Sequence, residues 1–257
     1  MTGTSRKAPQ ILRFFANPNY DSDVNSLWTT ISDSASIHLS DPQHAALARY
    51  LDLLLDANKK MNLTRITDRS AAEIHHVADA LTLLPFIPNA SIDLADVGSG
   101  GGAPGIPLAI ALPNARITLI ESTKKKAALL RGFIDALNLK NATVIDQRAE
   151  EVARTSLRGS FDIVTARAVG QLVWLAEWCL PLAKKGGKIL AMKGAKVNEE
   201  LESARKPIHL LGGCEPIVHP IALPGTAHHA IVEIPKLLKT DSRYPRDPTT
   251  TRGKPLK

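Results

Sequence analysis

The chain has 257 residues, 44% hydrophobic and 22% charged, which suits one packed domain with generous ends or one domain plus a small cap. Its longest apolar stretch, Ile106 to Pro113, is too short to cross a bilayer. Cys179 and Cys214 lack CxxC or Cys/His spacing, so reduced thiols are expected, with no metal site. The formal charge of +7 resides in the ends. Residues 1–20 hold Arg6, Lys7 and Arg13 without an acid, and residues 236–257 hold Lys236, Lys239, Arg243, Arg246, Arg252, Lys254 and Lys257 against Asp241 and Asp247. The stretch between them is slightly acidic. Basic ends favour a polyanion such as nucleic acid by releasing its counterions, and a solubilising tail is the equal alternative. The run Ile11-Leu12-Arg13-Phe14-Phe15 is too broken for a secretory signal, and the expectation is a cytoplasmic monomer, with an organellar transit peptide left open.

Residues 1–40 mix Pro, Asn, Asp and Ser with a few aromatics and read as an irregular extension. A helical cap over 41–90 follows. Asp41-Pro42 reads as an N-cap with Pro at the first helical position, and Leu47, Leu51, Leu54 and Leu55 continue at helical spacing to about Asn58. Ser70-Ala71-Ala72-Glu73 has the form of a capping box opening a second helix to about Leu84. From residue 91 to 238 the pattern changes to short strands alternating with helices. Strands are predicted at Ile92–Val97, Arg116–Ile120, Ala142–Ile145, Phe161–Ala166 and Gly187–Met192, with two more at Ile208–Val218 and Ala230–Ile234. Helices are predicted at Pro104–Ala111, Thr123–Leu137, Glu150–Thr155, Leu172–Leu182 and Val197–Ala204. The alternation implies a doubly wound, mostly parallel α/β sheet. Residues 239–257 read as a basic flexible tail.

The strongest local signal is Asp96-Val97-Gly98-Ser99-Gly100-Gly101-Gly102-Ala103-Pro104-Gly105, which follows a strand and opens a helix as a nucleotide loop does. Gly100-x-Gly102-x-x-Gly105 also fits the dehydrogenase fingerprint. Asp96 favours S-adenosylmethionine over a dinucleotide, because a carboxylate attracts an ammonium group and repels a pyrophosphate. Glu121, at the end of the next strand, stands where the ribose of either cofactor would lie. Together these features point to a class I, Rossmann-like methyltransferase. Arg148-Ala149-Glu150 follows the third strand, where such an enzyme holds adenine; an ordinary acidic helix N-terminus is the alternative for Glu150.

Ordered pieces over nearly the whole chain from residue 50 make it resemble the RsmG (GidB) family, bacterial methyltransferases that modify guanine N7 in small-subunit (16S) rRNA. They are Asn58-Lys59-Lys60-Met61-Asn62-Leu63-Thr64, Glu73-Ile74-His75-His76-Val77-Ala78-Asp79, Asp96–Pro107, Glu121-Ser122 with Lys125-Lys126, Arg148-Ala149-Glu150, Ala166-Arg167-Ala168 and Ala191-Met192-Lys193-Gly194. The ending Tyr244-Pro245-Arg246 with Lys254-Pro255-Leu256 also resembles the family's. The chain departs from the family at His75 (usually Arg), Ala80 (usually Ser) and Lys126 (usually Arg). The resemblance implies an antiparallel last strand, cofactor contacts at Gly98, Ala103, Ala149, Glu150 and Arg167, and rRNA-contacting cations at Lys125, Arg148, Arg167 and Lys193. With Asp96, Gly100, Gly102, Glu121 and Ser122 added from the loop and the next strand end, this is the expected cofactor set. His76 joins the RNA-facing residues.

Guanine N7 has a lone pair and no hydrogen, so no general base is expected, and Arg167 and Lys193 are assigned to positioning. No Asn/Asp-Pro-Pro-Tyr/Phe run follows the fourth strand, as adenine amino methylation would need. Neither cysteine sits in a Pro-Cys or Thr-Cys context, as attack at a pyrimidine C6 would need. His76 and Asp79, three apart, either line the substrate entrance or pair with each other. Trp174 and Trp178 read as core packing. The rival functions are a nicotinamide-dependent oxidoreductase and an RNA-binding pseudoenzyme of the same fold.

Overall fold

The computed structural model describes residues 24–247, 249 and 254–256. The basic residues expected to act at the N-terminus lie outside this range. The described residues begin with α1 (Val24–Ser34), so the expectation of irregular structure to residue 40 is corrected there. Leu27, Trp28 and Ile31 share one face of that helix and are buried, and the Trp28 indole N–H donates to the Glu73 carbonyl. Helix α2 (Asp41–Met61) is capped by Ser40, one residue earlier than predicted, with Pro42 inside its first turn. The Gln43 side chain accepts from the Ser40 backbone N–H and donates to the Ile110 carbonyl, tying the cap to the main domain.

The next helix begins as α3 (Arg69–Ala72), widens into a π-helical stretch (Glu73–Ala78) and ends as α4 (Asp79–Leu81). The predicted Ser70 box is corrected: the Asp68 carboxylate caps this helix by accepting from Ala71 N at 2.8 Å, and Glu73 instead pairs with Arg69. The main domain then runs β1 (Asp93–Val97), α5 (Gly105–Ala111), β2 (Arg116–Ile120), α6 (Lys124–Ala136), β3 (Ala142–Ile145), α7 (Ala149–Val152), β4 (Phe161–Arg167), α8 (Leu172–Cys179), β5 (Ala183–Lys193), α9 (Val197–Leu210), β6 (Ile217–Leu223) and β7 (Thr226–Pro235). The strand order is β3-β2-β1-β4-β5-β7-β6, and β7 is antiparallel to both its neighbours. This is the class I methyltransferase sheet.

One predicted strand was misplaced. Residues Ile208 to Leu210 finish α9, and the sixth strand begins only at Ile217. Leu201, Ala204, Ile208 and Leu211 recur at helical spacing and are all buried, so packing keeps the segment helical despite Pro207. Strand residues alternate between two apolar clusters, with Leu94 in the one under the cap and Ala95 in the one under α8 and α9. Both faces of the sheet are covered, as a parallel sheet requires.

The described part of the expected flexible tail is docked on the body. Arg158 donates to the carbonyls of Thr240, Asp241 and Tyr244. Arg246 makes a two-pronged pair with Glu177 of α8 at 2.7 and 2.8 Å, and Tyr244 and Leu256 pack on the second cluster. Lys236 is buried, donating to the Leu211 carbonyl, and burial pushes its ammonium down to about 7. Lys236 and Arg246 are thus engaged within the fold, while Arg252 and Lys257 of the expected basic tail lie outside the described residues. Among the described residues Cys179 and Cys214 are free thiols, with Cys179 buried in the core and its pKa pushed up by that burial.

Candidate active site

The parallel strands β1, β4 and β5 all end at one edge of the sheet, where ligands bind in open α/β folds. Because β7 runs the other way, it brings its beginning to that same edge. Register pairs Val97 with Ala166, Arg167 with Met192 and Lys193 with Ala230, so these residues and the adjacent His229 form a row across four strands. The glycine loop after β1 lies between two hollows at this edge.

The smaller hollow, about 220 Å³, is lined by Gly98, Ser122, Gln147, Arg148, Ala149, Glu150, Val169 and Trp178, among others. Of the residues expected to hold the cofactor, Gly98, Ser122, Ala149 and Glu150 line this hollow, and Arg148, expected to meet RNA, lines it beside them. Trp178, read as core, forms one of its walls. Gly98 takes φ +71°, and a Cβ there would stand 2.6 Å from a Val169 methyl, so both conformation and space demand glycine. Gly102 has φ +101°, Gly100 is also left-handed, and Gly102 accepts from Ile106 N as α5 begins.

The two acids of the loop do different things from one another. Glu121 is buried beside the loop and accepts from Gly100 N at 2.9 Å and Thr123 N at 2.7 Å; each oxygen keeps one further acceptor position. Asp96 is 1% exposed. One carboxylate oxygen accepts from Gly105 N at 3.1 Å and the other lies 3.3 Å from the Thr165 hydroxyl. Burial pushes Asp96 up to about 6. The expected acidic rim facing an ammonium is therefore not formed by Asp96, which braces the loop from behind. The smaller hollow still fits a nucleoside better than a pyrophosphate. Glu150 lines it and Glu121 adjoins it, and carboxylates suit hydroxyl and amine donors and repel phosphate, while Arg148, the cation in its lining, is exposed to solvent.

The larger hollow, about 570 Å³, lies on the cap side of the loop and includes Tyr50, His75, His76, Asp79, Ala103, Arg167, Met192, Lys193 and His229 in its lining. Its centre is Arg167. One guanidinium nitrogen donates to the His75 carbonyl at 2.5 Å and to Asp79 at 3.0 Å, and the other donates to His76 Nδ1 at 3.2 Å. The π-helical stretch presents all of these acceptors or adjoins them, a feature common at functional sites. His76 and Asp79 therefore both line the hollow and meet through Arg167 rather than through each other. Burial, reinforced by Arg167, pushes the His76 imidazole down to about 4, so it is neutral.

Lys193, expected to meet RNA, is engaged within the protein. Its ammonium donates to the Gly170 carbonyl at 2.8 Å and pairs with Glu200 at 2.6 Å. Glu200 also accepts from Leu172 N, so the three groups lock the start of α8 to α9. Lys125 and Arg148 are exposed, and Lys125 lines neither hollow. Sequence reasoning missed Tyr50, whose hydroxyl donates to the Gly101 carbonyl at 3.0 Å, and His229, whose Nδ1 lies 3.4 Å from Asp79. Neither stands in a local motif. No group of three or more His, Cys, Asp or Glu among the described residues is arranged to hold a metal.

The family model for rRNA small subunit methyltransferase G, or GidB, matches residues 43–222. The chain belongs to this family. It is 42% identical over 211 residues to ribosomal RNA small subunit methyltransferase G of Chloroflexus aggregans, covering 82% of this chain and 89% of that protein. It is also 42% identical over 224 residues to the protein of the same name from Staphylococcus carnosus, covering 86% and 93%. A solved structure of MtNAS in complex with MTA and tNA shares the fold at a TM-score of 0.50 and 13% identity, covering 85% of this chain and 78% of that one. No helix among the described residues of this GidB-family chain is long and apolar enough to cross a membrane.

Proposed function

We propose that this chain transfers a methyl group from S-adenosylmethionine to N7 of one guanine in small-subunit (16S) rRNA. The observation that carries the reading is the pairing of a nucleoside-sized hollow with a larger one across a single glycine loop, in a member of this family. Gly98, Glu121, Ser122, Ala149 and Glu150 would hold the adenosine part, with Ala103 and Arg167 on the side of the methyl. When bound, the cofactor supplies an electrophilic methyl on a sulfonium.

The protein's own residues then hold the base and exclude water. Attack through N7 needs no proton removed, so positioning supplies most of the acceleration. The base becomes cationic, and an unpaired cation beside it would oppose the transfer. Arg167 is neutralised by Asp79, Lys193 by Glu200, and His76 is uncharged. The reaction favours such a polar wall, in which the two partly buried cations of the hollow are paired and Lys196, unpaired among the described residues, is exposed to solvent. Lys125 and Arg148, exposed near the loop edge, would contact rRNA phosphates. The enzyme would act as a monomer, without a metal, in the cytosol where ribosomal subunits assemble.

The test is tritium transfer from labelled S-adenosylmethionine to purified small subunits lacking the modification, with already modified subunits as control. Borohydride and aniline scission at one guanine would assign the methyl to N7. Label without scission would place it on another atom.

A further inference from the structure

The cluster around Arg167 leaves two ring nitrogens without a partner. His76 Nε2 is buried and closed off from solvent. His229 differs: its side chain is 33% exposed, it lines the larger hollow, and no hydrogen bond to its Nε2 occurs among the described residues. Its Nδ1 faces an Asp79 oxygen at 3.4 Å. Burial opposes ionisation of Asp79, but His229 and Arg167 hold it below the usual carboxylate range, so it is an anion that only accepts. The proton of neutral His229 is therefore fixed on Nδ1, and Nε2 offers a lone pair to the hollow.

We infer that His229 distinguishes guanine from adenine, its Nε2 accepting the N1 hydrogen of the target base. This rests on the methyl-transfer reading and sharpens it to a specificity residue. Guanine carries a hydrogen on N1, whereas adenine has a lone pair there that would face the lone pair of Nε2. A site built around one hydrogen bond rejects the analogue lacking it, because the partner that the base covers is left unsatisfied. Methylation at N7 makes the ring positive and N1–H a better donor, so the contact strengthens in the transition state. The hydrogen stays on the base and no proton transfer is required.

The test uses single-turnover methyl transfer to unmodified small subunits carrying guanine or, by rRNA point mutation, adenine at the position found by scission. His229→Ala lowers the guanine rate at least about tenfold and spares any adenine rate, so discrimination shrinks by that factor. An unchanged guanine rate, or an equal fall with both bases, overturns the inference. The pH profile gives a readout that a purely structural role would not move. Protonation removes the Nε2 lone pair, and the Asp79 hydrogen bond raises the His229 pKa above its ordinary 6.5, against burial and the charge of Arg167. His75, His76, Lys196 and the Lys193–Glu200 pair also line the hollow.

The guanine rate of the wild type therefore falls below a midpoint above 6.5. His229→Gln, which keeps an acceptor but does not titrate, retains more rate than His229→Ala and flattens that limb. A glutamine variant with the wild-type limb overturns the assignment. A wild-type chain that transfers no label overturns the methyl-transfer reading and this inference with it, whereas the other adverse outcomes strike His229 alone.

Discussion

The two hollows flanking the glycine loop are built by different means. The smaller one is made mostly of the backbone turns that follow successive strands, between Val97 and Trp178, and its key shape is a left-handed glycine that no other residue replaces cheaply. The larger one is held by side chains far apart in the chain: Arg167 and Asp79 are 88 residues apart, and Asp79 and His229 are 150 apart. The first rests on backbone conformation local to each turn, the second on an assembly of side chains from the cap, β4 and β7. A local device fails through one backbone atom, an assembly through one missing charge.

The largest effect is expected on the assembled side. Arg167→Met leaves the Asp79 carboxylate buried with only His229, and should cost about 3 kcal/mol in urea unfolding. Methyl transfer should fall steeply while the smaller hollow still binds S-adenosylhomocysteine. Equal loss on both sides would show that the two hollows are one unit.

On the local side, Gly98→Asp forces a Cβ toward Val169 at a positive φ, and calorimetry should show S-adenosylhomocysteine affinity reduced by about 2 kcal/mol, some thirtyfold. Unchanged affinity would remove the loop from the binding site.

The docked C-terminus tests whether the smaller hollow is as self-contained as its local origin suggests. Arg246 pairs with Glu177, next to the wall residue Trp178. Arg246→Ala should lower stability by about 1–2 kcal/mol, after allowance for the partial exposure of Arg246. If the variant keeps wild-type stability and differs only in salt-dependent RNA binding, the free-tail picture returns.

The smallest effect concerns the strand that carries His229. Glu233 is held down to about 2 by His219, against its burial, and also by Lys188, from an ordinary 4.5. A carboxylate with a depressed folded pKa stabilises above its unfolded value, so this contribution is present above pH 4.5 and is lost as pH falls toward 2. The advantage of wild type over Glu233→Gln should be about 1 kcal/mol at pH 6 and vanish across that window. A pH-independent difference would locate the effect in packing.

Sequence by itself determined the strand–helix alternation, the glycine cradle and the grouping of Gly98, Ser122, Ala149 and Glu150, because period and turn chemistry are properties of neighbouring residues. It missed α1, whose Ser- and Thr-rich face hid the buried Leu27, Trp28 and Ile31, and it gave part of α9 to a strand. It also gave Asp96 an outward role, read the docked Tyr244, Arg246 and Leu256 as part of a free tail, and left Lys193 facing RNA. Only the tertiary structure decided those, together with Tyr50 and His229. Whether a carboxylate or an ammonium meets a ligand or a neighbour depends on which buried donors and acceptors lie within about 3 Å, and that distance is set by packing between elements distant in the chain.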